Sequence, residues 1–99
     1  MFIVIWEYKV RTDCTHSFEQ LYGRNGEWEN LFMRHAGYLG TELCKRKHEA
    51  NTYITLDRWE SEELYQKFLF AAKEEYETID KMGEDLMEDE IKIGSFEEC

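Results

Sequence analysis

A chain of 99 residues with 42% hydrophobic and 15% aromatic content can fill one core but hardly two, so a single domain over 1–99 is expected. The formal charge of -10 is lopsided: residues 1–49 carry seven acids and seven bases, and residues 50–99 carry fifteen acids and five bases. Such a surface repels phosphate backbones and anionic headgroups, which argues against nucleic-acid and membrane partners.

The segment Lys45-Arg-Lys-His48 is the one basic cluster, and it reads as a solvated turn. The opening MFIVIWEYKV lacks a basic lead and meets Glu7 too early for a secretory signal, and no apolar run approaches the roughly 20 residues of a membrane span, so a cytoplasmic location is expected. Cys14, Cys44 and Cys99 match neither a disulfide framework nor a zinc site and read as reduced thiols.

In chain order, Phe2 to Val10 alternates with period two, as a strand does. Phe2, Val4, Trp6, Tyr8 and Val10 fall on one face, and Ile3, Ile5, Glu7 and Lys9 on the other. Thr15 to His35 shifts to helical period, with Phe18, Leu21, Tyr22, Trp28, Leu31 and Phe32 near one stripe and Ser17 to Gln20 matching a capping box. Gly23-Arg-Asn-Gly26 should kink or split this helix, since each interior glycine costs about 1 kcal/mol relative to alanine. Ala36-Gly37 is expected to end it.

A strand over Tyr38 to Lys47 follows, with Leu39, Thr41 and Leu43 facing one way, then a turn at 48–51 and a third strand over Thr52 to Trp59. Ser61 is placed to cap a second helix, with Glu62 and Glu63 in its first turn. That helix is expected to reach about Met82, carrying Leu64, Tyr65, Phe68, Leu69, Ala72, Tyr76 and Ile79 on its apolar face. Between Glu74 and Glu90 stand nine acids and one lysine, read as a solvated helix end and loop rather than a cation site. A last strand is expected over Glu90 to Phe96, with Ile91 and Ile93 outward.

The order is β-α-β-β-α-β, which predicts an α+β, ferredoxin-like fold: a four-stranded antiparallel sheet with two helices on one face. The other face would then be left bare with Ile3 and Ile5 on it, and a second copy of the sheet is the simplest cover. A homodimer through the sheet face is expected.

The segments IWEYKV, FEQLYGRNGEWENLF, GYLGTELCKR and TLDRWESEELYQKF resemble the antibiotic biosynthesis monooxygenase family, within the dimeric α/β-barrel superfamily. The likeness is closest to small stand-alone members with a YG-x-x-G-x-W-x-x-LF motif followed by GYLGTEL, and it extends to EIKIGSFE. It implies an oxygenase that uses no metal, flavin or other cofactor. An electron-rich phenol or anthrone-like substrate would be deprotonated, and its carbanion would reduce oxygen directly. Such chemistry needs a dry aromatic pocket, a proton acceptor and donors for the developing enolate.

On this basis Asp57 and Glu7 are the candidate proton acceptors, and Trp59, Tyr8, Tyr65, Trp28 and Phe68 the candidate pocket residues. A carboxylate buried beside Arg58 reads first as a structural ion pair and second as a base. Trp59 has two readings: a plug between strand and helix, or, as its position in relatives implies, a contact to substrate. The haem-degrading branch of the superfamily is disfavoured, because its iron-ligating histidine, ten residues after the tryptophan, is Leu69 here and its first-strand asparagine is missing from Trp6-Glu7-Tyr8. No histidine has a partner at metal-ligand spacing. Two functions stay open: a cofactor-free oxygenase of small aromatic or quinol-like metabolites, and a non-catalytic dimeric protein that binds a small aromatic or lipophilic ligand.

Overall fold

In a computed structural model describing all residues from Met1 to Cys99, the alternating N-terminal segment forms strand β1 (Phe2–Val10), followed by helices α1 (Thr15–Tyr22) and α2 (Glu27–Met33). Strands β2 (Tyr38–Lys45) and β3 (Thr52–Trp59), helices α3 (Glu62–Ala71) and α4 (Lys73–Glu84), and strand β4 (Met87–Glu97) complete the chain. The strands make one antiparallel sheet in the order β2-β3-β1-β4, the expected α+β arrangement. No helix is long and apolar enough to cross a membrane.

Each expected helix is interrupted. Asn25 takes a left-handed φ of 64° in the link between α1 and α2, and a Cβ on Gly26 would lie 2.3 Å from the Gln20 carbonyl oxygen, so this link needs a glycine there. The capping box does not form: a 3-10 turn at Thr12–Cys14 feeds α1 with Cys14 at its N-cap, three residues before Ser17, which is left inside the helix. Helix α2 stops at Met33, short of Ala36-Gly37, while Gly37 in the following link has φ 93° with Leu64 packed against its Cα. Ser61 does cap α3, accepting a hydrogen bond from the Leu64 N–H. At Ala72 the backbone leaves α values and the helix divides, with the Ala72 N–H bonded to the Phe68 carbonyl and the Tyr76 N–H to the Ala72 carbonyl on either side of the break.

Residues paired across antiparallel strands share a face. The register aligns Thr41, Asp57 and Val4, then Leu43, Thr55 and Trp6, then Lys45, Tyr53 and Tyr8, all toward the helices. Leu39 does not join Thr41 and Leu43: a bulge between Tyr38 and Gly40 leaves it 52% exposed. Strand β4 begins at Met87, three residues before its expected start, because main-chain pairing with β1 runs on to Val10 despite the poor strand propensity of Glu88 and Asp89. The acidic 74–90 stretch is therefore mostly α4 and β4, with only a two-residue link at 85–86.

The core between sheet and helices is dominated by rings. Phe18 stacks on Tyr22 at 4.3 Å and contacts Tyr8 and Tyr53, while Phe32, Trp59 and Phe68 form a second group. Together they join both helical pairs to the sheet. The opposite face carries Ile3, Ile5, Ile54 and Leu56 half-buried, with Ile91, Ile93 and Phe96 each about half exposed on β4.

Candidate functional site

A narrow cleft, open to solvent, lies between the sheet and the helices. Strand β1 supplies Trp6 and Tyr8, the first helical pair Tyr22, Trp28, Glu29 and Phe32, the central strands Thr41, Thr55 and Asp57, and the last elements Tyr76, Asp80 and Glu90. Six of these twelve side chains are aromatic, and four are carboxylates.

Asp57 is the chemically distinctive one. It points into the protein from the sheet and is buried, with no ion pair. The expected pairing with Arg58 does not occur, because adjacent residues on a strand point to opposite faces and Arg58 binds Glu42 on the outer side. The Thr41 hydroxyl donates to Asp57 Oδ1 at 2.7 Å, and the Tyr38 hydroxyl donates in turn to Thr41 Oγ1 at 2.6 Å. Burial raises the Asp57 pKa from 3.8 to about 6, against the smaller lowering effect of the Thr41 bond. Thr41→Val removes a donor to the ionised form, so the Asp57 titration followed by carboxyl ¹³C NMR is expected to move up by about one pH unit.

Tyrosines surround this carboxylate. Burial raises the pKa of Tyr8, Tyr38, Tyr65 and Tyr76, and the Asp57 charge adds to each shift. Tyr38 is pushed up to about 12. These phenols remain protonated through the neutral range and are available as donors.

Two polar atoms of the wall are unpaired: the hydroxyl of Tyr22 and the indole N–H of Trp28 are buried without a hydrogen-bond partner. Trp28 lies close enough to temper the burial-driven rise of the Tyr22 pKa but lacks hydrogen-bond geometry toward it. Tyr22 is held in place by its stack on Phe18 and by Gly83, where an added Cβ would sit 2.3 Å from its hydroxyl oxygen. Gly83→Ala is therefore expected to lower stability by about 1–2 kcal/mol in urea unfolding, the overpacking outweighing the roughly 1 kcal/mol gained in helix propensity.

The structure brings Tyr8 and Trp28 into the cleft with Asp57 and leaves the other candidates outside it. Trp59 is fully buried against Phe32, Tyr38, Tyr65 and Phe68, as the joint between β3 and α3. Tyr65 and Phe68 belong to the same packed group, behind the lining residues Phe32 and Tyr76 and not themselves in the lining. Glu7 points to the outer sheet face, 3.3 Å from Arg46. Tyr76, Asp80 and Glu90 are lining residues that the sequence reading did not select, although Tyr76 and Asp80 stand at i and i+4, the spacing of one helix face.

The aromatic walls match a flat ring in chemical character, and the buried carboxylate without an ion pair is a group able to accept a proton. No group of three or more His, Cys, Asp or Glu side chains is placed to hold a metal ion.

Among solved structures, a proposed antibiotic biosynthesis monooxygenase from Nitrosomonas europaea is similar at 16% identity and TM-score 0.76, over 99% of this chain and 98% of that one. A second protein so described, from Deinococcus radiodurans, has 12% identity and TM-score 0.76, over 100% and 93% of the two chains. SnoaB, a cofactor-independent oxygenase from Streptomyces nogalater, has 14% identity and TM-score 0.73, over 98% and 91%. These likenesses show a shared fold. No curated protein matches the chain. The profile described as antibiotic biosynthesis monooxygenase matches residues 1–77, more than three quarters of the sequence, and on that match the chain belongs to the antibiotic biosynthesis monooxygenase family.

Proposed function

We propose that the protein is a cofactor-independent monooxygenase of a small, electron-rich aromatic substrate, with Asp57 as proton acceptor. The observation that carries this reading is a buried, unpaired carboxylate with a pKa of about 6 inside an aromatic cleft. At neutral pH such a group is mostly ionised, and its pKa lies near the operating pH, where proton transfer is most efficient.

The atoms balance without a bound redox group. Asp57 takes a proton from the ring-activated C–H or O–H, and the resulting anion gives an electron to dioxygen. The radical pair closes to a C–O bond, the proton returns to the peroxide, and loss of water leaves a carbonyl, so one oxygen atom enters the product and the other leaves as water. Tyr22 and Trp28 are the wall donors for the oxygen that gains charge. Aromatic packing around Asp57 limits water, which would otherwise quench the anion.

In the same reading a second copy covers the outer face, placing Ile3, Ile5, Ile54 and Leu56 at a sheet-to-sheet interface and leaving the clefts on the outside of the pair.

The test is oxygen uptake by the purified protein with a panel of hydroxyaromatic and quinol substrates in the presence of EDTA. Uptake that disappears in Asp57→Asn supports the reading. Ligand binding with no uptake across the panel would leave the non-catalytic binding function in its place.

A further inference from the structure

Glu29, Asp57, Asp80 and Glu90 line the cleft, and no lysine, arginine or histidine does. Burial and then mutual repulsion raise the pKa of Glu90, and the Asp80 charge is the largest part of that repulsion. A site that must develop negative charge on its substrate would ordinarily hold a basic side chain to offset it. Its lining holds only acids, so apart from the Lys92 ammonium over the Trp6 ring the offset has to come from elsewhere.

The walls indicate what could supply it. Six rings, those of Trp6, Tyr8, Tyr22, Trp28, Phe32 and Tyr76, face the same space as the carboxylates. Aromatic faces attract a cation whose charge is diffuse or attached to an apolar stem. The carboxylates do not converge as a small, hard metal ion requires. Against one of these rings the protein already places an ammonium in this way, with Lys92 Nζ 6.0 Å from the ring centroid of Trp6.

A second feature concerns the other end of the ligand. Tyr22 and Trp28, each more than nine-tenths buried, present a hydroxyl and an N–H that nothing in the protein satisfies. An oxygen substituent on a bound ring would accept from both.

We infer that the cleft takes a hydroxylated aromatic amine in its protonated form, with the ring between the aromatic walls, the ring oxygen toward Tyr22 and Trp28, and the ammonium toward Asp80 and Glu90. The inference rests on the cleft being the ligand site of the proposed function, and it does not require that the ligand be oxidised. Within that function, the amine's own charge offsets the anion formed on the ring.

Three probes of nearly equal size test it on the full chain: tyramine, neutral 4-ethylphenol and anionic 3-(4-hydroxyphenyl)propanoate, titrated by calorimetry and by fluorescence of the cleft tryptophans. Tyramine is expected to bind at least tenfold more tightly than 4-ethylphenol, and the anion more weakly still. The tyramine preference should fall as salt rises from 50 to 500 mM, and below threefold in Asp80→Asn/Glu90→Gln. A control of equal charge change outside the cleft, Glu62→Gln/Glu63→Gln, should keep it, which separates the cleft from the overall -10 charge.

Equal binding of the neutral phenol, tighter binding of the anion, no binding of any probe, or a preference retained in the cleft variant would each overturn the inference. Oxygen uptake on the same samples separates the two proposals. Selective tyramine binding without uptake removes the oxygenase alone, whereas uptake of neutral phenols without charge selectivity removes only the cationic ligand.

Discussion

Asp57→Asn is expected to lower oxygen uptake by at least about a hundredfold, the lower end of what a positioned general base contributes, and at the same time to make the protein more stable at neutral pH. The two effects share one cause. An ionised carboxylate held inside the protein without a cation is a destabilising group, and the raised pKa measures by how much. Between pH 3.8 and about 6 the folded state holds the Asp57 proton while the unfolded chain has released it, so stability falls as pH rises through that window. At about 1.4 kcal/mol per pH unit the loss reaches about 3 kcal/mol by neutral pH. Asparagine keeps an acceptor for the Thr41 hydroxyl and carries no charge, so the variant should recover up to that amount. Urea unfolding of both proteins from pH 4 to pH 8 isolates the effect, because other titrating groups cancel in the difference. Equal stability at pH 8 would mean that Asp57 is solvated, and the proton-acceptor role would fall with it.

The second large effect is expected at Trp59. Trp59→Ala removes a fully buried indole from the contact of Phe32, Tyr38, Tyr65 and Phe68 and should cost about 3–5 kcal/mol. Trp59→Phe should cost only about 1–2 kcal/mol, since the ring stays and the lost indole N–H is a buried donor with no partner. Ligand affinity and oxygen uptake per folded molecule should be unchanged in the phenylalanine variant. A tenfold loss of affinity at unchanged stability would return Trp59 to the ligand site, against its placement in the core.

Much of the fold was legible because it is written in periodicity. The period-two segments at Phe2–Val10 and Thr52–Trp59 became β1 and β3 with the expected bounds, and the glycines at 23 and 26 split the first helix as their cost predicts. Boundaries set by main-chain pairing or local bends were not legible, as at β4, where acidic residues join the sheet because β1 offers them a partner. The site was read less completely. Asp57, Tyr8 and Trp28 share the cleft, but Trp59, Tyr65 and Phe68 have the same aromatic character and pack elsewhere, since ring content alone does not tell wall from core. Asp80 and Glu90 were hidden in an acidic run whose average suggested solvent. Their place in the lining depends on which single face of α4 and β4 meets the cleft, and composition averages over all faces.

The back-to-back placement of Asp57 and Arg58 on β3 has a consequence for how this protein can change length. One residue added or lost within Thr52–Trp59 would exchange the strand's two surfaces beyond that point, swinging Arg58 toward the cleft and Asp57 out to the open sheet face. The turn between β2 and β3 is under no such constraint, because a longer loop there leaves the pairing of both strands intact and each doubling of its length costs only about 0.6 kcal/mol. Insertions and fused peptides therefore belong at 47–50, since the Asn51 carbonyl accepts from the Val10 N–H, while β3 itself can vary in side chains but not in residue count.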